Sequence, residues 1–320
     1  FVDMTEHEGW WYEGAGIYRP VRLRKTDLCA IDLWGVFARP ERHENEDGSR
    51  MLLLKYPLLE RTGIVEHCFT TRLGGVSADI FSTMNLSFTR GDEEAAVREN
   101  YRRLAGALGV SEEQFVFSEQ THTVHVRRVT AEDAGKGLTR ERDYRDVDGL
   151  ITDEPGLVLS TFYADCVPLY LVDPVHRAIG MSHSGWRGTA ARMGAVTLSA
   201  MQEAYGTRPE DVVCAIGPSI CRDCYEVSAD VADIFAEEFP GHEREILAES
   251  EKNSGRIAHA DKKYQLDLWK ANEIIFLEAG VRKEHLAVTD ICTCCNPKLL
   301  FSHRASHGKR GNLGGFLYLK

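Results

Sequence analysis

The sequence predicts a layered fold of the α+β or α/β kind, with helices covering central β-sheets, and three observations carry that reading. From residue 51 onward short apolar segments alternate with longer ones whose apolar residues recur at three and four spacing. Several of the short segments are apolar on both faces, as strands are when helices cover a sheet. Neither an internal repeat nor a low-complexity linker interrupts the pattern, so residues 51–320 read as one domain.

Strands are expected at 65–70, 124–129, 157–162, 169–172, 178–182, 212–216 and 287–289. Helices are expected at 93–108, 190–205, 228–238 and 267–279. Gly109, Gly206 and Gly280 stand where three of these helices should stop, because glycine takes the left-handed conformation of a helix C-terminus without strain.

The polar, turn-rich stretch RPERHENEDGSR precedes Met51 and marks a boundary near residue 50. Upstream of it, GWWYEGAGIYRPVRLRKTDLCAIDLWGVFARP resembles part of the sugar-binding jelly roll of family 2 glycoside hydrolases. A jelly roll needs about eight strands to close its sheets, and this piece supplies two at most. Residues 1–50 are therefore expected to be a fused fragment, with native translation starting at Met51; the alternative is an appendage that pairs with an edge strand of the main domain.

Composition narrows the function. A net charge of −11 argues against a sequence-independent nucleic-acid binder, which needs excess Lys and Arg to displace counterions. The longest apolar runs, 157–162 and 168–172, fall well short of the roughly 20 residues that span a bilayer. Nine cysteines without an export signal read as reduced thiols or metal ligands, and the expected location is cytoplasmic. The expected partner is a small-molecule substrate.

Three segments concentrate reactive side chains: SEQTHTVHV with His122, TFYADCVPLYLVD with Cys166, and AIGMSHSGWRGTAAR with His183. Cys166 and His183 are 17 residues apart, enough for a strand, a turn through VDPVHR and a return strand that brings the two side chains face to face. Two imidazoles and a thiolate suit zinc, and three protein ligands with one open position is the arrangement of a catalytic zinc site. On their own, three unconnected residues of these types are more often core residues than ligands. His125 falls on the opposite face of an extended segment from His122 and is not expected to join them.

The ordered motifs TTRLGGVS (70–77), MNLSFTRGD (84–92), SEQTH (118–122), ADCVPL (164–169), HSGWRGT (183–189), IGPSICRDCYEV (216–227) and ICTCCNPKLLFSHR (291–304) resemble the YfiH or YlmD type of protein. That family is described both as purine nucleoside phosphorylases and as polyphenol oxidases, the "laccase-domain" proteins, and the resemblance covers residues 61–320. It implies a layered α/β fold like that of the cytotoxic necrotizing factor catalytic domain. It also implies that His122, Cys166 and His183 bind the metal, expected to be zinc (Zn2+), with copper (Cu2+) as the alternative. The implied reactions are phosphorolysis of adenosine, inosine and methylthioadenosine, and deamination of adenosine.

Thr123 replaces the family's usual glycine, and the tail RASHGKRGNLGG departs from the common ending, so Arg310 matches its second arginine only loosely. Arg72 and Arg304 are the residues expected near a phosphate or ribose, since guanidinium offers a planar fork to phosphate oxygens; salt bridging is the competing role. Arg187 is read as an anchor of its own loop and Trp186 as core. Cys221-x-x-Cys224 and Cys292-Thr-Cys294-Cys295 are read as buried thiols, because C-x-C-C does not supply the second C-x-x-C of a zinc ribbon.

Two other chemistries fit the same residues. Copper-dependent phenol oxidation suits a His, His and Cys ligand set, but no two of the 12 histidines are spaced H-x-H as a laccase cluster requires. A metal-free hydrolase would use Cys166 as nucleophile and His183 as base. A carbohydrate-binding role resting on the N-terminal fragment is the weakest reading.

Overall fold

Strand Arg39–Glu44 (β3) folds back on Arg50–Lys55 (β4) through the turn at Asn45–Ser49, so the boundary read near residue 50 falls inside a hairpin, at the start of its second strand. The chain is seen in a computed structural model that describes residues 38–253 and 258–320, with the backbone of 23–25 and 29–31. It divides into two units, residues 1–37 and 38–320. In the first, Leu23–Lys25 (β1) pairs antiparallel with Cys29–Ile31 (β2); the rest of the segment resembling a jelly roll lies outside the described residues.

In the second unit, one six-stranded sheet runs β3, β4, Val65–Thr70 (β5), Leu313–Leu319 (β17), Val158–Tyr163 (β9) and Phe115–Phe117 (β6). A second six-stranded sheet runs Leu286–Val288 (β16), Val213–Ile216 (β12), Val167–Asp173 (β10), Ala178–Ser184 (β11), Gly149–Thr152 (β8) and Val126–Arg128 (β7). Both mix parallel and antiparallel pairs. A small third sheet runs Glu226–Ser228 (β13), Lys263–Leu266 (β15) and Leu247–Glu249 (β14).

The two large sheets pack face to face. Phe69, Leu159, Tyr163, Tyr170, Met181 and Leu317 fill the space between them. Each such side chain removed from water contributes about 1.5–3 kcal/mol. Outside the first sheet lies Glu94–Leu108 (α2), with Val97, Tyr101 and Leu104 buried one turn apart against Phe115 and Phe316. The second sheet's outer face packs against Trp186–Ala190 (α3), Met193–Tyr205 (α4) and Leu268–Glu278 (α7). The expected layering of helices over central sheets is therefore the observed one. Shorter helices fill gaps: Pro57–Glu60 (α1) between the sheets' edges, and Ala229–Glu238 (α5) and Glu243–Ile246 (α6) beside the third sheet.

The helices stop as the glycines foretold, with Gly109 and Gly206 left-handed at φ 69° and 73°. Strand β17 had no counterpart in the sequence reading. Its paired glycines hide it, and they are there for packing. A Cβ on Gly315 would sit 2.7 Å from the Tyr170 hydroxyl and 2.3 Å from the Met181 methyl, so the sheets approach this closely only over glycine.

Candidate functional site

Strands β10 and β11 form an antiparallel hairpin with Pro168 opposite His183, which brings the residue just before β10, Cys166, beside the end of β11. His122 arrives from a third direction, on the loop between β6 and β7. The nitrogen and sulfur atoms of His122, Cys166 and His183 all lie within 4.8 Å of one another, and the Cys166 Sγ to His122 Nε2 separation is 3.9 Å. His125 stays outside this group, with its Nδ1 3.1 Å from the Asp146 carbonyl.

Asp148 organises the site, and sequence reasoning missed it. Its fully buried carboxylate accepts the backbone N–H groups of Thr121, His122 and Thr123 at 3.0, 3.1 and 2.9 Å, and the Thr123 hydroxyl at 2.9 Å. These bonds hold His122 in the left-handed region at φ 67°, a costly conformation for a side chain with a Cβ. The same carboxylate lies 2.8 Å from His183 Nδ1, so the imidazole presents Nε2 to Cys166. A buried carboxylate on the far nitrogen of a histidine is the usual outer partner of a metal-binding imidazole. The only trace in the sequence was an aspartate in DVDGL, ahead of an apolar strand.

Cys166 is fixed from its other side by Asp165, also left-handed at φ 89°. The Asp165 carboxylate accepts the Thr293 hydroxyl at 2.6 Å and the Arg304 N–H at 2.7 Å, while its carbonyl accepts the Ile220 N–H at 3.0 Å. Gly185 closes over the site. A Cβ there would lie 2.9 Å from the His122 ring and 3.1 Å from Cys166 Sγ, so only glycine leaves these two side chains room.

Burial alone would push the Cys166 thiol up, but the charge of His183 and hydrogen bonds from His122 and His183 outweigh it and hold it at about 6. Burial likewise opposes charge on His183, and the Cys166 thiolate and Asp148 outweigh that, raising it to about 9. Thiolate and imidazolium thus stabilise each other. A four-coordinate zinc ion with ligands at about 2.0–2.3 Å separates its ligand atoms by about 3.3–3.8 Å, and this donor set fits it with little adjustment. Three ligands leave one position open.

The three residues face a cleft of about 440 Å³. Its rim and wall include Phe88, Phe162, Arg90, Arg142 and Arg310. Arg310 is buried, its Nη1 bonds to the Asn312 side chain, and its Nε has no partner. Burial and the charge of Arg90 push this guanidinium down to about 10.

Arg72 and Arg304 are not among the residues lining this cleft. Arg72 donates to the carbonyls of Ser82 and Pro297 at 2.7 and 2.8 Å and lies over the Phe301 ring. Arg304 donates both terminal nitrogens to the Glu226 carbonyl at 3.1 Å. Both guanidinium groups tie loops together through backbone carbonyls, not through the salt bridges named as the competing role. Trp186 packs half-buried against the outer core with Arg187 stacked on it.

The spacing argument against the second cysteine group fails. Cys292 and Cys295 are themselves a C-x-x-C pair around Thr293 and Cys294, and their sulfurs meet those of Cys221 and Cys224, all within 4.8 Å. Adjacent cysteines need not both point at one centre; here Cys294 packs against the outer core instead. Among the described residues no helix is long and apolar enough to cross a membrane.

Comparison with known proteins gives a consistent picture. The profile of the family described as multi-copper polyphenol oxidoreductase laccase matches residues 66–320. The purine nucleoside phosphorylase YlmD of Bacillus subtilis is 34% identical over 256 residues, 79% of this chain and 87% of that protein. A purine nucleoside phosphorylase of Deinococcus radiodurans is 37% identical over 258 residues, 80% of this chain and 90% of its own. The crystal structure of YlmD from Geobacillus stearothermophilus superposes with a TM-score of 0.74 at 34% identity, covering 84% of this chain and 96% of that one. YfiH of Bacillus licheniformis gives 0.76 at 32% identity with the same coverages. With its ordered motifs, its fold and the profile match over most of its length in agreement, the chain belongs to the YfiH/YlmD family of laccase-domain proteins.

Proposed function

We propose that this protein is a zinc-dependent purine nucleoside phosphorylase, in which His122, Cys166 and His183 hold one ion and a nucleoside and phosphate meet in the adjoining cleft. The observation that carries this reading is the three-ligand group opening onto a cleft that also contains a buried, partly unpartnered arginine. When bound, zinc would act as a Lewis acid on a substrate oxygen or lower the pKa of a water toward neutrality. Asp148 keeps His183 in the ligating tautomer and anchors the His122 loop. Arg310 and Arg90 supply positive charge where phosphate would sit, and an arriving anion relieves their mutual repulsion. Phe88 and Phe162 offer aromatic faces to a purine. Deamination of adenosine would need a different substrate pose, with water directed at purine C6 and the exocyclic amine leaving as ammonia, whereas phosphorolysis directs phosphate at ribose C1′ and releases the base.

The names of the relatives support this reading, and so does the absence of a second histidine-bearing cluster among the described residues, which a multicopper oxidase would need. A second reading has one observation in its favour. Cys166, His183 and Asp148 also form the nucleophile, base and orienting acid of a cysteine hydrolase. Metal analysis of protein purified without added metals separates the two. Phosphate-dependent release of hypoxanthine from inosine, lost in Cys166→Ala, is the expected result. Stoichiometric copper with strong phenol oxidation and no nucleoside turnover would sink the proposal.

A further inference from the structure

We infer that Cys221, Cys224, Cys292 and Cys295 form a second, closed metal site that takes one zinc ion and staples together the two loops supporting Cys166. The four sulfurs lie within 4.8 Å of one another, with Cys224 to Cys295 at 3.4 Å and Cys221 to Cys295 at 4.0 Å. A tetrahedral ion with Zn–S bonds of about 2.3 Å requires sulfur separations of about 3.8 Å, between these two values. The span suits one ion and is too small for an iron–sulfur cluster, whose ligands sit around several metal atoms.

Two further features mark the group as built to hold a cation. The Cys292 sulfur accepts the backbone N–H groups of Cys221 and Cys295 at 3.3 and 3.4 Å, donors that favour a thiolate over a thiol. The two C-x-x-C pairs also come from different parts of the chain. One is a turn after β12, the other a turn after β16, and the loops are joined by a bridge between Ser219 and Cys292. Four protein ligands leave no open position, so the site is structural. Binding replaces the thiol protons, which pass to solvent, and no electron is transferred.

The placement gives the ion a task. Ile220, in the first loop, and Thr293, in the second, both bond to Asp165, the residue that orients Cys166. A metal that fixes the loops therefore fixes the sulfur ligand of the catalytic site from behind.

The test is zinc content per chain by mass spectrometry, on protein purified without added metal, for the wild type, His122→Ala/His183→Ala and Cys224→Ser/Cys295→Ser. Two, one and one zinc ions are expected. One in the wild type and one in the histidine variant would still support this site while removing zinc from the first, so the two assignments fail separately. Because the histidine variant leaves all four cysteines intact, it decides the matter even if the cysteine variant fails to fold. Cobalt loaded into it should show the intense visible bands of a tetrahedral tetrathiolate. A metal-free histidine variant, iron in place of zinc, or a mass deficit of about 2 Da from a Cys224–Cys295 disulfide would overturn the inference.

Discussion

At the scale of single residues the centre depends on two side chains that are not ligands. Asp148 spends its carboxylate on three backbone N–H groups and on His183, so Asp148→Asn should leave the fold standing while loosening both histidines. Loss of such an outer partner costs about 10–100-fold in metal affinity. Competition against a zinc chelator checks it, and unchanged affinity would mean that His122 and His183 are held by other contacts. In the proposed reading Arg310 is the counterpart on the substrate side, since it lines the cleft. A charge-assisted hydrogen bond contributes about 1.5–3 kcal/mol, so Arg310→Gln should raise the KM for phosphate about 10–100-fold and leave the KM for inosine nearly unchanged. Equal rises in both would show that Arg310 shapes the cleft and does not bind the anion.

Secondary structure was legible wherever periodicity was clean. The helix at 93–108 became α2 at Glu94–Leu108, and the segment at 178–182 became β11. Strand β17 was hidden because glycines at 314 and 315 erase the alternation that marks a strand, and β3 because its alternation of half-buried and exposed residues carries almost no apolar signal. The grouping of His122, Cys166 and His183 was visible through its motifs, whereas Asp148 and Arg310 act through tertiary contacts that spacing does not encode. The same holds for the Cys292 and Cys295 pair, whose geometry depends on where Cys294 turns. Strand β3 carries its own prediction. Arg39 bonds to Glu60, Asn45 to the Gly74 carbonyl at 2.8 Å, and Asp47 to Arg103 at 2.7 Å. A chain begun at Met51 should keep the metal content and activity of the full chain but lose a few kcal/mol of stability, since each intramolecular hydrogen bond contributes about 0.5–1.5 kcal/mol. Urea unfolding of the two forms checks this, and coincident midpoints would show that β3 only shields an edge.

For the molecule as a whole, stability rests on the interface between the two large sheets, and a histidine lies within it. His67 on β5 is fully buried, stacks on Tyr56 and approaches Tyr170 of the opposite sheet. Its Nε2 accepts the Tyr56 N–H at 2.7 Å, so the ring is neutral. Burial, and then the charge of Lys55, push its pKa down to about 3 from an ordinary 6.5. Above pH 6.5 the folded and unfolded chains both carry a neutral ring, and His67 adds no pH dependence. Below it, the unfolded chain takes up a proton that the folded chain refuses. Stability then falls toward acid by up to about 1.4 kcal/mol per pH unit until the folded pKa is reached. His67→Gln keeps an acceptor for Tyr56 and cannot titrate. It should cost about 1–3 kcal/mol at pH 8 through imperfect packing, yet lose less stability than the wild type between pH 6 and pH 5, a range in which few buried carboxylates titrate. Urea midpoints at pH 8, 6 and 5 for both proteins measure the difference. Parallel losses would place the acid sensitivity in the carboxylates of the surface and outside the sheet interface.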